Sequence, residues 1–106
     1  MSDYTVTVTT IAVISRENPL AARELAQACS TDMDWVRQLV EVGIVEAQAP
    51  ESAPDDWRFD SADLQHALEA HQLERDFGVG LEAAALILDL QYEVRRLKAV
   101  LRAREI

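Results

Sequence analysis

Helical periodicity is cleanest in the middle of the chain. Wound at about 100° per residue, residues 33 to 42 gather Met33, Trp35, Val36, Leu39, Val40 and Val42 on one half of a helix. Asp34, Arg37, Gln38 and Glu41 fall on the other. Asp32 is placed to cap this helix, and Gly43 supplies the left-handed position that ends it. A narrower stripe precedes it: Ala22, Leu25, Ala26 and Cys29 recur at i, i+3, i+4 and i+7, small and medium side chains that let a second helix approach closely. Asn18 and Pro19 suit the opening of that helix, as cap and first helical residue, and Ser30, Thr31 and Asp32 break it. Two helices separated by so short a break predict a helix-turn-helix.

Around this pair the period changes. Tyr4-Thr-Val-Thr-Val-Thr9 alternates with period two, which predicts a half-buried strand, and a phase slip at Thr9 and Thr10 predicts a bulge or a strand end. Ile44 to Gln48 predicts another strand. Residues 49 to 56, rich in Pro and Asp, predict a loop, and Trp57-Arg-Phe-Asp60 a return strand, so that the three form a wing. Asp60 or Ser61 can cap a third helix with Leu64, Ala67, Leu68 and His71 turned inward and Gln65, Glu69 and Glu74 turned to water, ending near Phe77-Gly78.

A last helix is expected from about Leu81 to Arg104. At 1.5 Å per residue it reaches roughly 35 Å, more than so small a body can cover. Along it Ala83, Ile87, Leu90, Val94, Leu97 and Leu101 keep a heptad rhythm. The expectation is that this stripe packs on its own domain over residues 81 to 90 and pairs with a second copy beyond Val94, where Glu93 would face Lys98 of the partner subunit in a parallel coil. The predicted fold is mainly α, a winged helix-turn-helix with a small antiparallel sheet and a long C-terminal helix. Residues 1–80 form the winged domain, and residues 81–106 complete its core and dimerise.

Charge changes the functional reading of this pattern. The 106 residues hold 19 Asp and Glu against 10 Lys and Arg. Before Arg95 there are 18 acids and 5 bases, a net −13; from Arg95 onward there are 5 bases and 1 acid, a net +4. A DNA-binding face must be basic, because counterion release supplies most non-specific affinity. The helix that would read DNA instead exposes Asp34, Glu41 and an Arg37 bracketed by both, a poor phosphate ligand. Such a body attracts a basic polypeptide, faster at low salt than at high.

Candidate chemistry is sparse. Cys29 lies on an apolar stripe, where a thiol is core filler. His66 and His71 are five apart and diverge on a helix, so they do not form a metal pair. No phosphate loop or nucleophile elbow occurs, and neither catalysis, a cofactor nor a small-molecule substrate is expected. With no apolar run near 18 to 20 residues and no greasy start after Asp3, a cytoplasmic protein without a membrane or secretory segment is expected.

Specific residues carry a family resemblance. Phe77-Gly-Val-Gly-Leu-Glu82 resembles the turn joining the third and fourth helices of MerR-type regulators, and Arg37 with Gly43-Ile-Val-Glu46 resembles the end of their recognition helix. The Thr/Val start, Val42 to Glu46, Trp57-Arg-Phe-Asp60 and the Leu- and Arg-rich C-terminus are more similar still to the MerR-like chaperone modulators of the CbpM family. The departures from MerR regulators are informative. Their Arg-Tyr-Tyr run contacts the DNA backbone, whereas here Gln38 and Leu39 follow Arg37. Their basic wing residue becomes Trp57, after Asp55-Asp56.

The resemblance to CbpM implies an adaptor. It would bind the J-domain of a CbpA-type co-chaperone, blocking both its stimulation of the DnaK ATPase and its DNA binding. J-domains present a basic helix and a His-Pro-Asp loop, which an acidic surface with aromatic anchors would match. Trp57 and Arg58, edged by Asp55, Asp56 and Asp60, are the first candidate contact, since Trp and Arg are common hot spots. The Asp34, Arg37 and Glu41 face is the second. Trp57 equally suits a core position under the wing, and Trp35 is expected in the core. Dimerisation is assigned to Ile87, Leu90, Val94, Leu97 and Leu101. The alternative is a MerR-type DNA-binding transcriptional regulator relying on the basic tail from Arg95 to Arg104. A third is a scaffold that only self-associates.

Overall fold

A computed structural model describes residues 18–104. The strand expected at Tyr4–Thr9, with its slip at Thr9 and Thr10, lies outside the described residues. The element order is β1 (Leu20–Ala21), α1 (Ala22–Ala28), α2 (Met33–Glu41), a 3-10 turn (Pro54–Asp56), β2 (Arg58–Phe59), α3 (Ser61–Phe77) and α4 (Leu81–Arg104). The mainly helical, winged helix-turn-helix architecture is the one the pattern predicts, with changes at its edges.

Neither Asn18 nor Pro19 opens α1. Leu20 and Ala21 are drawn into an antiparallel pairing with Phe59 and Arg58, because Leu20 and Phe59 both bury side chains in the core. The helix therefore starts three residues later, at Ala22, and the Glu24 carboxylate accepts the Ala21 N–H at 3.0 Å. On α1 the predicted stripe of Ala22, Leu25, Ala26 and Cys29 is buried in full. Burial pushes the Cys29 thiol up to about 12, which makes it inert at neutral pH.

The turn from α1 to α2 puts Ser30 at a φ of 57°. Thr31 closes it, donating its N–H to the Ala26 carbonyl at 2.8 Å and its hydroxyl to the same oxygen at 3.2 Å. Asp32 caps α2 as expected, accepting the Trp35 N–H at 2.9 Å. Gly43, at a φ of 81°, ends the turn that follows.

The expected strand at Ile44–Gln48 shrinks to a single bridge between Gln48 and Arg58. Ile44 and Val45 are both buried, and consecutive inward side chains are incompatible with the alternation of a half-buried strand. The return strand survives as β2, paired chiefly with β1. Asp60 then caps α3 reciprocally: its carboxylate accepts the Asp63 N–H at 2.9 Å, while Asp63 accepts the Asp60 N–H at 3.0 Å. Asp63 also accepts the Glu46 N–H at 3.2 Å, tying the wing to α3. Burial raises the Asp63 carboxyl above the usual carboxylate range, and these two N–H groups oppose the shift.

α3 ends at Gly78, at a φ of 65°. Glu69 and Glu74, expected on its wet side, are half-buried instead. Each satisfies the polar end of an aromatic side chain that packs on the core: Trp35 Nε1 donates to Glu74 at 2.7 Å, and the Tyr92 hydroxyl donates to Glu69 at 3.1 Å. Burial, reinforced by that carboxylate, pushes the Tyr92 phenol up to about 12.

α4 packs on the body through Leu81, Ala84 and Leu88, with Ala85 and Tyr92 at the margin. This is not the heptad stripe. Ala83 and Leu90 are exposed and Ile87 only half-buried, so the expectation that the stripe packs inward over residues 81 to 90 is corrected. At about 100° per residue the heptad positions lie roughly 150° around the helix from the packed ones. Leu90 and Leu101 are each 59% exposed, and Val94, Leu97 and Val100 are exposed with them.

Candidate partner-binding surface

The two candidate contacts differ in how much of their chemistry is already used. On the wing, Trp57 is 8% exposed and its Nε1 donates to the Pro50 carbonyl at 3.3 Å. Its ring belongs to the core, not to a surface anchor. Arg58 folds back on its own strand end, donating to the Trp57 carbonyl at 2.9 Å and to that of Asp55 at 3.4 Å. Asp60 is occupied as a cap. The carboxylates of Asp55 and Asp56 remain at the surface, and Asp55 makes an exposed pair with Arg23 at 3.4 Å.

The outer face of α2 is different. Asp34, Arg37, Gln38 and Glu41 are all exposed, as the periodicity predicts. The Arg37 guanidinium donates to Asp34 at 2.7 Å. An ion pair this exposed adds little stability, but it neutralises the cation on the face. With Glu41 one turn on, the face is anionic.

Trp35 is in the core as expected, at the base of this helix. Its ring meets His71 edge-on at 5.5 Å. His71 Nδ1 is buried without a hydrogen bond and lies 3.9 Å from Glu74. His66 is half-buried and packs at 5.3 Å from Tyr92, a contact that the heptad-centred reading of α4 misses because it does not use Tyr92. Glu74 and Glu69 are also missed. A Trp and a Tyr with polar ends needing partners are the only signal that could have pointed to them.

On the distal half of α4, Arg95 lies 5.5 Å from the centre of the Tyr92 ring, and Arg96 pairs with Glu93. Lys98, Arg102 and Arg104 continue the basic stretch. Among the described residues no group of three or more His, Cys, Asp or Glu could hold a metal ion. No helix among them is long and apolar enough to cross a membrane.

Known proteins supply an independent comparison. Residues 20–103 match the family described as MerR HTH family regulatory protein. The chaperone modulatory protein CbpM of Coxiella burnetii (strain Dugway 5J108-111) is 31% identical over 93 residues, covering 88% of this chain and 86% of that protein. CbpM of Pseudomonas entomophila is 37% identical over 84 residues, covering 76% and 77%, and that of Pseudomonas putida (strain W619) is 34% identical over 80 residues with the same coverage. No solved structure matches significantly.

Proposed function

Because the chain belongs to the MerR helix-turn-helix family, and within it to the chaperone modulatory proteins CbpM, we propose that it is a J-domain inhibitor. It binds the J-domain of a CbpA-type co-chaperone, prevents that domain from stimulating DnaK, and reduces the co-chaperone's DNA binding. The observation that carries this reading is the inversion of charge on α2. The helix that would enter a DNA groove shows Asp34, Glu41 and an Arg37 already paired with Asp34 at 2.7 Å. Phosphates are repelled there, and a basic helix is attracted.

The α2 face therefore takes precedence over the wing as the contact. Asp55 and Asp56 add exposed negative charge on the wing, where Asp55 pairs with Arg23, while Trp57 supports the wing from below. The protein acts as a dimer joined through Leu90, Val94, Leu97 and Leu101, with Ile87 at the edge, since this apolar stripe faces away from its own body. It works in the cytoplasm, where its partner acts.

The rival reading, a DNA-binding regulator, draws on the family match and on the basic tail. Two of the tail's cations are engaged, Arg95 against Tyr92 and Arg96 with Glu93, and the others lie along the distal part of α4 rather than on α2. A DnaK ATPase assay stimulated by the host's CbpA-like protein separates the two. Adding this protein should return the rate to its unstimulated level, and a gel shift with random duplex at low salt should show no complex. Unchanged stimulation together with a clear shift would support the regulator.

A further inference from the structure

The end of α2, the middle of α3 and the middle of α4 enclose a cleft of about 110 Å³, lined among others by Val42, Gly43, His66, Leu88, Asp89 and Tyr92. Its chemistry is one-sided. The C-terminal end of α2 carries partial negative charge, and no Lys or Arg stands in its last turn to offset it. Asp89 is exposed, and its carboxylate makes no hydrogen bond or ion pair with the described residues. The Tyr92 ring forms one apolar wall, fixed in place by the bond from its hydroxyl to Glu69 and packed at 5.3 Å from His66. Arg95 lies 5.5 Å from the centre of the same ring but lines the neighbouring groove with Glu69 and Asp76, not this cleft.

We propose that this cleft receives a single Lys or Arg side chain from a basic partner protein. The charged end sits between Asp89 and the C-terminal end of α2, and the aliphatic stem lies along Leu88 and the Tyr92 ring. An anion is repelled by both negative elements, and a neutral side chain leaves the Asp89 charge unanswered. Glu41, on the acidic face of α2, immediately precedes Val42 at the cleft's rim. The proposal rests on the J-domain reading for the identity of the partner, but not for the chemistry of the site.

Two titrations of the isotope-labelled protein test it. With N-acetyl-arginine amide at low salt, amide shifts should concentrate at Gly43, His66, Asp89 and Tyr92. Asp89→Asn should weaken them at least about threefold, while Glu51→Gln, an exposed carboxylate on the wing, should leave them unchanged. With the J-domain, Asp89→Asn should weaken binding by about tenfold. Shifts scattered over the acidic surface, or equal in the Asp89→Asn variant, would overturn the cleft, and J-domain binding that the variant leaves intact would overturn its use by that partner. A wild-type protein that ignores the J-domain yet takes the arginine probe at these residues keeps the cleft and removes the partner.

Discussion

The two halves of α4 contrast in what their apolar residues do. From Leu81 to Tyr92 the helix has one face in the core, through Leu81, Ala84 and Leu88. From Val94 onward every described residue is exposed, although Val94, Leu97, Val100 and Leu101 are as apolar as those before them. The near half carries stripes on two sides, the distal half on one. Apolar content alone therefore does not say which side a helix buries. The side that finds the body is set by where α3 lies, and the remaining stripe is left for another surface. Charge divides at the same place, with a net −13 before Arg95 and +4 from it onward.

Substitutions that treat the two regions alike would erase this contrast, and the largest effect should come from the body. Trp57→Ala should cost about 3 to 5 kcal/mol, read as a fall in the denaturant midpoint. A fully stable variant that merely lost partner binding would return Trp57 to the surface. Next in size is the distal stripe. Leu97→Glu with Leu101→Glu should convert dimers to monomers by light scattering while leaving the near-ultraviolet signal of the tryptophans intact. A dimer that persists would place the interface elsewhere, and a collapsed signal would put the stripe in the core.

Within the body, Asp32→Ala removes the cap on α2 and should cost about 1 kcal/mol in chemical denaturation; no change would mean that the bond to Trp35 is not formed in solution. Arg37→Ala should be the mildest, within about 0.5 kcal/mol in stability, because its pair with Asp34 is exposed. If the α2 face receives a basic helix, this variant should bind the J-domain at least as well as the parent protein. Weaker binding would make Arg37 a contact in its own right.

Elements with one strong period were legible in advance. The polar and apolar halves of α2, the cap at Asp32, the span of α4 and the stop at Gly78 all follow from local chemistry that tertiary packing does not override. Features decided by neighbours far along the chain were not. Leu20 joins a strand because Phe59 is there to pair with it, and Ile44 and Val45 turn in together because α3 offers them a core. Glu69 and Glu74 look like solvent carboxylates until Tyr92 and Trp35 are seen to donate to them. For the candidate surface, the charge on α2 was readable from spacing alone. The position of Trp57 was not, since a Trp beside three aspartates fits an anchor and a core residue equally well. The cleft at Asp89 joins three elements that no local pattern connects.

Calorimetric titration of the intact protein with the J-domain of its host's CbpA-like co-chaperone, repeated as salt is raised, tests the charge inversion most directly. Saturable binding that weakens steadily with salt, alongside indifference to duplex DNA, is the predicted result. No heat with the J-domain and tight, salt-sensitive retention on duplex DNA would contradict it.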